Sequence, residues 1–504
     1  VYKIMDINNI VTHPKTHNTI DMTYFKTKPY NHQYDCWDIS KDKESFGLFI
    51  DMGGGKTKVL IDNVVYLYLH NKIDGVIVFA PKGCYRNWIT EFELHSKIDY
   101  ELTYWSAAAN AKLKESYNKL FKKTGKLKVF LINTEAMSSS AIKPMVTKFV
   151  KEFSCLVCVD ESTMIKALPA ARTKAIIAIG KLAKYRRILT GLPITKNVLD
   201  LYSQCYFLDY RLLGFQSFYS FRNRYAIMQD VKFGPRSFSK IVGFHRTEEL
   251  IEKLKGFSYR VAKKDCLDLP PQIFETRLIE LTDEQKKLYN AMTRDYIIEL
   301  DTHGMVTAQM IMTKYEKLHQ IICGHLKTDT GHIVKLKNNR ILELLQILEE
   351  IDGKVIIWAT YQEDIRQIYT VISEAYGSEK VAHYYGETPA DIREIVKKRF
   401  QDPADPLQYF ISNPATGRFG STLTQASTVI YYSNSYDYEY RKQSEDRTHR
   451  IGSEIHDKIL YIDFICVGTV DEKIVKSLKD KKQLADNIMT HLGKKSWKEL
   501  FPQV

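Results

Sequence analysis

The run Leu48-Phe-Ile-Asp-Met-Gly-Gly-Gly-Lys-Thr57 places three glycines, a lysine and a hydroxyl after a short apolar stretch and before a helix-like run, Lys58–Leu69. Glycines allow consecutive backbone N–H groups to close round an anion, and a helix N-terminus adds positive potential there. In such a phosphate loop Gly53, Gly54 and Gly55 would cradle the phosphates of ATP, with Met52 and Lys58 at its flanks. Lys56 would reach the β- and γ-phosphates and Thr57 would hold Mg²⁺ through its hydroxyl. The written pattern has glycine five positions before Gly55, where this chain has Ile50. A plain glycine turn between strand and helix is the alternative.

A second segment, Phe153-Ser-Cys-Leu-Val-Cys-Val-Asp-Glu161, is an apolar strand ending in two carboxylates. Asp160 would anchor Mg²⁺ through water, and Glu161 would orient and deprotonate the attacking water. Acidic residues opening a helix give the same pattern. A third segment, Gln443-Ser-Glu-Asp-Arg-Thr-His-Arg-Ile-Gly452, carries Arg447 and Arg450 three apart, a spacing that on a helix shares one face. Two guanidinium groups could stabilise charge building on a γ-phosphate. A solvated charged helix with internal Glu–Arg pairs fits the spacing equally.

The elements that must position these residues read as two α/β regions. From about 30 to 208 the apolar strands include Phe46–Ile50, Val76–Ala80, Val129–Ile132, Leu156–Val159 and Arg187–Leu189. From about 339 to 484 they include Val355–Ala359, Val381–Tyr384, Tyr409–Ile411, Thr428–Tyr431 and Ile459–Ile462. Helical stretches separate them, which predicts parallel sheets covered on both faces. Residues 210–260 are aromatic-rich and predicted mostly helical, with Lys232–Lys240 as a loop or hairpin tip around Gly234-Pro235. Residues 282–325 and Asp471–Leu492 read as helices. The expected divisions are an N-terminal extension 1–27, a first lobe 28–205, a helical insertion 206–260, a linker with a second helical insertion 261–335, a second lobe 336–485 and a tail 486–504. The interlobe boundary falls near 260–275, marked by the extended Asp268-Leu-Pro-Pro271.

Lys and Arg number 73 against 60 Asp and Glu, a net charge of +13, which favours a polyanionic partner. Apolar runs are strand-length, short of the ~20 residues a spanning helix needs, so no membrane association is expected. No secretory signal is evident. The eight cysteines show no disulfide rhythm, and the Cys155/Cys158 pair reads as buried strand packing. An intracellular, reducing, cytoplasm-like compartment is expected.

Taken in order, these segments resemble the motif series of superfamily 2 helicases, in the form of the Snf2-like family. Gln33, in Pro29-Tyr-Asn-His-Gln33, resembles the adenine-reading glutamine, and Asp51–Thr57 the first motif. Ala80-Pro-Lys82 with Asn87, Trp88 and Glu91 is similar to motif Ia, and Asn133-Thr-Glu135 to motif Ib. Asp160-Glu-Ser-Thr163 stands where the family has DEAH, with Thr163 in place of histidine. Thr190-Gly-Leu-Pro-Ile194 with Asn197 resembles the third motif, Val355–Ala359 the fourth, Ser412–Leu423 the fifth and Gln443–Gly452 the sixth. Arg418 and Phe419 depart from the fifth motif's small, glycine-rich core. The likeness spans roughly residues 28–485.

The resemblance implies two tandem RecA-like lobes and an ATP-driven motor on double-stranded or branched DNA, working as a monomer. Lobe one would supply Gln33, Gly53–Thr57, Asp160 and Glu161, and lobe two Gln443, Arg447 and Arg450. Thr190 and Gly191 would couple hydrolysis to motion, Thr190 taking over where histidine is missing. Strand phosphates would be gripped near Lys82, Asn87, Trp88, Thr134, Thr360, Thr416 and Arg418, without sequence readout. The insertion's Tyr206, Tyr210, Phe215, Phe218, Tyr219, Phe221 and Tyr225 would form a wedge or, more simply, packed core. With no accessory domain in view, a compact phage- or bacterial-type remodeller of DNA structure is expected. An RNA helicase and a non-catalytic clamp are the alternatives.

Overall fold

A computed structural model describes residues 20–82, 84–233, 236–263, 266–303, 308–417 and 422–493. Two compact units divide the chain. One comprises Val1–Leu267 with Gln483–Val504, the other Asp268–Lys482.

In the first unit seven parallel strands form one sheet. They are β1 (Ser45–Ile50), β2 (Gly75–Ala80), β3 (Tyr100–Tyr104), β4 (Leu127–Asn133), β5 (Cys155–Asp160), β6 (Tyr185–Leu189) and, after the hairpin strands β7 (Ala226–Phe233) and β8 (Arg236–Phe244), β9 (Ser258–Val261). Their spatial order is β3-β4-β2-β5-β6-β1-β9. The strands are apolar throughout because both faces are covered. Ile77, Phe79, Val157 and Val159 pack into one core, while Val76, Val78, Leu156 and Cys158 pack into the other. β5, β6 and β1 are neighbours, so the segments that follow them emerge side by side at one sheet edge.

The second unit repeats the plan with six parallel strands: β10 (Gln272–Ile279), then, after the small ribbon β11 (His325–Lys327) and β12 (Ile333–Lys335), β13 (Lys354–Trp358), β14 (Val381–Tyr384), β15 (Tyr409–Ser412), β16 (Ala426–Tyr431) and β17 (Ile459–Cys466). Their order is β10-β17-β16-β13-β15-β14. Two RecA-like α/β lobes are thus present.

Three sequence expectations change. The 210–260 region is not mostly helical, because β7 and β8 pair as an antiparallel hairpin from Ala226↔Phe244 to Phe233↔Arg236. The predicted tip residues Gly234 and Pro235 lie outside the described residues. β9 then returns to pair with β1, so the first lobe's sheet continues past the insertion. Finally, β10, placed by the sequence in a linker, is the edge strand of the second sheet, paired with β17. Its middle residues are exposed, so it lacks the continuous apolar run of an interior strand.

Candidate nucleotide-binding and hydrolysis site

The phosphate loop leaves β1 at Ile50 and enters the helix Lys56–Leu69. Gly55 has φ of 85°, a left-handed conformation, and a Cβ there would lie 2.1 Å from Gln33 Nε2. Only glycine fits both demands. Gln33, on the helix Asn31–Ser40, donates from Nε2 to the Gly54 carbonyl at 3.2 Å and accepts from the Tyr30 N–H at 3.0 Å. The His32 ring lies 2.9 Å from the same carbonyl. The structure therefore brings Gln33 to Gly53–Lys56, with Met52 preceding and Thr57 half-buried in the helix's first turn. Ile50, where the written motif has glycine, is fully buried and packs under Gly54.

Lys58 departs from expectation. Its buried ammonium sits 2.7 Å from Asp62 Oδ2 and 5.4 Å from the Phe25 ring centroid. The pairing with Asp62, one helical turn on, holds this side chain in the lobe interior. Burial pushes the Asp62 carboxyl up to about 7 despite Lys58.

Lys56, 9% exposed, places Nζ 3.7 Å from Glu161 Oε1. Asp160 ends β5. Its Oδ2 accepts from the Trp88 indole N–H at 3.1 Å and its Oδ1 from the Glu161 N–H at 3.0 Å. Burial holds the Asp160 carboxyl above its usual range, with Lys56 and Trp88 opposing that rise. Glu161 has φ of 49°, a conformation non-glycine residues adopt at a cost, and such strain clusters at functional positions. Thr190 Oγ1 donates to Glu161 Oε2 at 3.5 Å. A Cβ on Gly191 would lie 3.1 Å from Asp51 Cα and 3.2 Å from Met52 N, so the segment after β6 rests directly on the loop backbone.

Sequence reasoning missed the loop's anchor. Asp51 Oδ1 pairs with Arg260 Nη1 at 2.7 Å and its Oδ2 accepts from the Lys263 N–H at 3.1 Å. The same Arg260 nitrogen donates to Phe49 and Val261 carbonyls at 3.1 and 2.7 Å. Arg260 is distant in sequence, and only the β1–β9 pairing makes it a neighbour. No spacing could have signalled it.

In the second lobe Gln443 is buried on the helix Tyr438–Glu445. That helix ends at Glu445, so Arg447 and Arg450 lie in the turns that follow rather than on one helical face. Arg447 is buried, its Nε donating to the Gln443 carbonyl at 3.3 Å, and Arg450 is half-buried.

A match to the SNF2-related domain covers residues 30–328, and one to the helicase conserved C-terminal domain covers residues 336–452. The chain belongs to the Snf2 family of superfamily 2. This Snf2 chain is 26% identical, over 94% of its length, to a putative ATP-dependent helicase/translocase of Bacillus subtilis. It is 25% identical, over 84% of its length, to an SNF2 domain-containing protein of Oryza sativa subsp. japonica. It covers 50% and 47% of those two proteins, so it spans about half the length of the curated relatives it matches. Among solved structures, the Sulfolobus solfataricus SWI2/SNF2 ATPase core in complex with dsDNA aligns at 22% identity and a TM-score of 0.41, covering 94% of this chain and 96% of that one.

The remaining Snf2 motif residues divide. Lys82 and Asn87 are exposed, and the Lys82 N–H donates to Glu135 Oε2 at 3.1 Å. Trp88 is 2% exposed and bonded to Asp160, so it supports the acidic site and offers no surface to a strand. Thr134 is fully buried, which removes its hydroxyl as a phosphate grip. Thr360 Oγ1 donates to the Ser433 carbonyl at 3.1 Å. Thr416 is half-buried, and Arg418 lies outside the described residues. Of the insertion's aromatics, Phe221 and Tyr225 are fully buried and Tyr202 packs on Phe218 and Phe221 at 5.6 and 5.3 Å. Tyr219 is the outlier at 67% exposure, with Tyr210 at 41%. Cys155 and Cys158 are free, buried strand residues. Among the described residues no group of His, Cys, Asp and Glu is placed to hold a metal by itself, and no helix is long and apolar enough to cross a membrane.

Proposed function

We propose that this chain is an ATP-driven translocase on double-stranded or branched DNA, hydrolysing ATP to ADP and phosphate. The observation that carries the reading is the 3.7 Å approach of Lys56, after β1, to Glu161, after β5, across the end of the intervening β6. An anion-binding cation and a candidate base lie within reach of one γ-phosphate. The left-handed Gly55, which a Cβ would block, fits a cradle for phosphates. In this reading Gln33 reads the adenine, Gly53–Thr57 hold the phosphates, and Glu161 orients the attacking water. Thr57 and Asp160 would hold Mg²⁺, which supplies charge neutralisation on the phosphate oxygens. Gln443, Arg447 and Arg450 are the second lobe's contribution, stabilising charge on the γ-phosphate.

The net charge of +13 and pI near 9.0 support a polyanionic track. Lys82 and Asn87, exposed beside the ends of β2 and β4, suit phosphate contacts without base readout. Branch migration, fork regression and protein displacement, as used in DNA recombination and repair, are the outputs to distinguish.

The test is ATP turnover with single strands, duplex, forks, four-way junctions and RNA, paired with strand- and protein-displacement on the same substrates. Duplex or junction DNA is expected to raise kcat at least about tenfold over RNA, a difference of about 1.4 kcal/mol in barrier. Greater stimulation by RNA would move the chain to the RNA helicases. A Glu161→Gln protein retaining the wild-type rate would reduce it to a clamp.

A further inference from the structure

Ser162 follows the base candidate Glu161 and occupies the alanine position of the family's DEAH pattern. Alanine has no hydroxyl. Here the Ser162 hydroxyl, on a fully buried residue, donates to Gln204 Oε1 at 2.6 Å. Gln204, also fully buried, donates from Nε2 to the Pro193 carbonyl at 2.8 Å and to the Asp200 carbonyl at 2.7 Å. One amide thus joins the end of β5, the Thr190–Ile194 loop after β6, and the helix Leu201–Leu208 on which it stands.

A buried carboxamide is costly unless every bond is made, and its neighbour Ser203, also buried, likewise donates to the Ile165 carbonyl at 2.6 Å. Two of the three partners of Gln204, Ser162 and Pro193, belong to segments that border the candidate hydrolysis site. Pro193 lies two residues beyond Gly191, which rests on the phosphate loop. Asp200 Oδ2 in turn accepts from the Thr195 and Lys196 N–H groups at 2.9 and 2.7 Å. Gln204's helix also carries Tyr202, whose ring packs on Phe221 and Phe218. Those two rings belong to the helix Phe218–Tyr225, which runs without a break into β7 of the hairpin.

We propose that Gln204 is a positioning residue that transmits the state of the hydrolysis site to the aromatic insertion and its β7–β8 hairpin. A shift at Glu161–Ser162 or in the Thr190–Ile194 loop moves the amide, the amide moves its helix, and the Tyr202–Phe221 contact moves the insertion. The hydroxyl–amide link acts beside the Thr190–Glu161 bond, as a second connection between the end of β5 and the loop after β6. This rests on the DNA-dependent reading above, since its output is seen as stimulation by duplex.

The test compares Ser162→Ala, Gln204→Leu and the double variant for ATP turnover with and without duplex DNA, ATP KM and thermal melting. Each single variant is expected to lose about five- to tenfold of the duplex stimulation while ATP KM stays within about twofold. The double variant should lose no more than either single, because both belong to one link. It should also melt above Gln204→Leu, since the serine hydroxyl left without a partner in that variant is gone. Ser162→Ala removes a single hydroxyl and carries the test should Gln204→Leu not fold. Stimulation within twofold of wild type in the single variants overturns the proposal. So does stimulation that recovers in the double variant together with its melting temperature, which marks a purely structural role. Wild-type protein that no DNA stimulates overturns the translocase reading itself, and this inference with it.

Discussion

The two lobes share a parallel-sheet plan but hold their candidate site residues by different means. In the first, the phosphate loop is shaped largely by backbone, through positive-φ glycines, the Gly54 carbonyl accepting from Gln33 and Gly191 pressed on the loop, with the Asp51–Arg260 pair anchoring its start. In the second, the helix leading to the arginine turn is held by buried charge. Arg441 Nε meets Glu445 Oε1 at 2.7 Å, its Nη2 meets Asp463 Oδ2 at 3.0 Å, and its guanidinium lies 3.5 Å from the Tyr431 ring centroid. Asn434 completes the cluster by donating to Asp463 Oδ1 at 2.7 Å. The difference fits the proposed tasks. Binding phosphate would need several N–H groups fixed in a concave array, which backbone torsions do locally. An arginine carried on a turn would need a rigid platform behind it, and here ion pairs between helix and β17 stiffen that turn's base.

That contrast can be broken by substitution. Glu161→Gln removes the candidate base and should lower ATP kcat by about 10²–10⁴-fold with little change in ATP binding, read by steady-state turnover and fluorescent-nucleotide titration. Arg441→Ala leaves Asp463 and Glu445 facing each other at 12% and 7% side-chain exposure. A loss of about 3–5 kcal/mol in denaturant unfolding is expected. Nucleotide affinity carried by the first lobe should survive, and an affinity that collapses would erase the distinction between the lobes.

Acid titration sharpens it further. His95, on the helix Asn87–His95, is pushed down to about 4 by burial, with Lys58 and Lys26 adding to the fall. Glu91, 3.6 Å away and 40% exposed, does not offset this. Between about 6.5 and 4 the unfolded chain binds a proton at this imidazole that the folded chain refuses, so stability falls as pH falls through that window. His95→Gln should remove about 2–3 kcal/mol of that acid sensitivity, measured by melting from pH 7 to 4. In the second lobe the buried His319 and His325 instead lie 3.3 and 3.1 Å from Asp471 and Asp364. The smallest effect belongs to the loop anchor. Arg260→Met should raise ATP KM or lower kcat/KM by about tenfold, the scale of one partly buried charged contact (about 1.4 kcal/mol). A change under twofold would mean the backbone alone shapes the loop.

Much of the candidate site's local framework could be read in advance because its signals are local. A glycine-rich loop and an acidic strand end each fit within ten residues, and the apolar strands before them fix their place at a sheet edge. The Arg447/Arg450 spacing misled because it assumed a helix that stops at Glu445. Trp88 and Thr134 were given to a DNA surface by their motif positions, yet both are buried. Motif position names a neighbourhood but not the side of the backbone from which a side chain emerges. Lys58 turned inward for the same reason, one helical step past Thr57.

The amino-acid order alone determined the strand–loop–helix of the candidate phosphate cradle, because that geometry depends on torsions of consecutive residues. It also determined the two α/β halves, through apolar runs that only a doubly covered parallel sheet can bury. Tertiary structure decided the rest: that Arg260 anchors Asp51, that Trp88 serves Asp160, and that Ser162 and Gln204 meet. Those partners lie 42 to 209 residues apart in sequence, on strands and helices whose adjacency is set by sheet order. No local pattern encodes such adjacency.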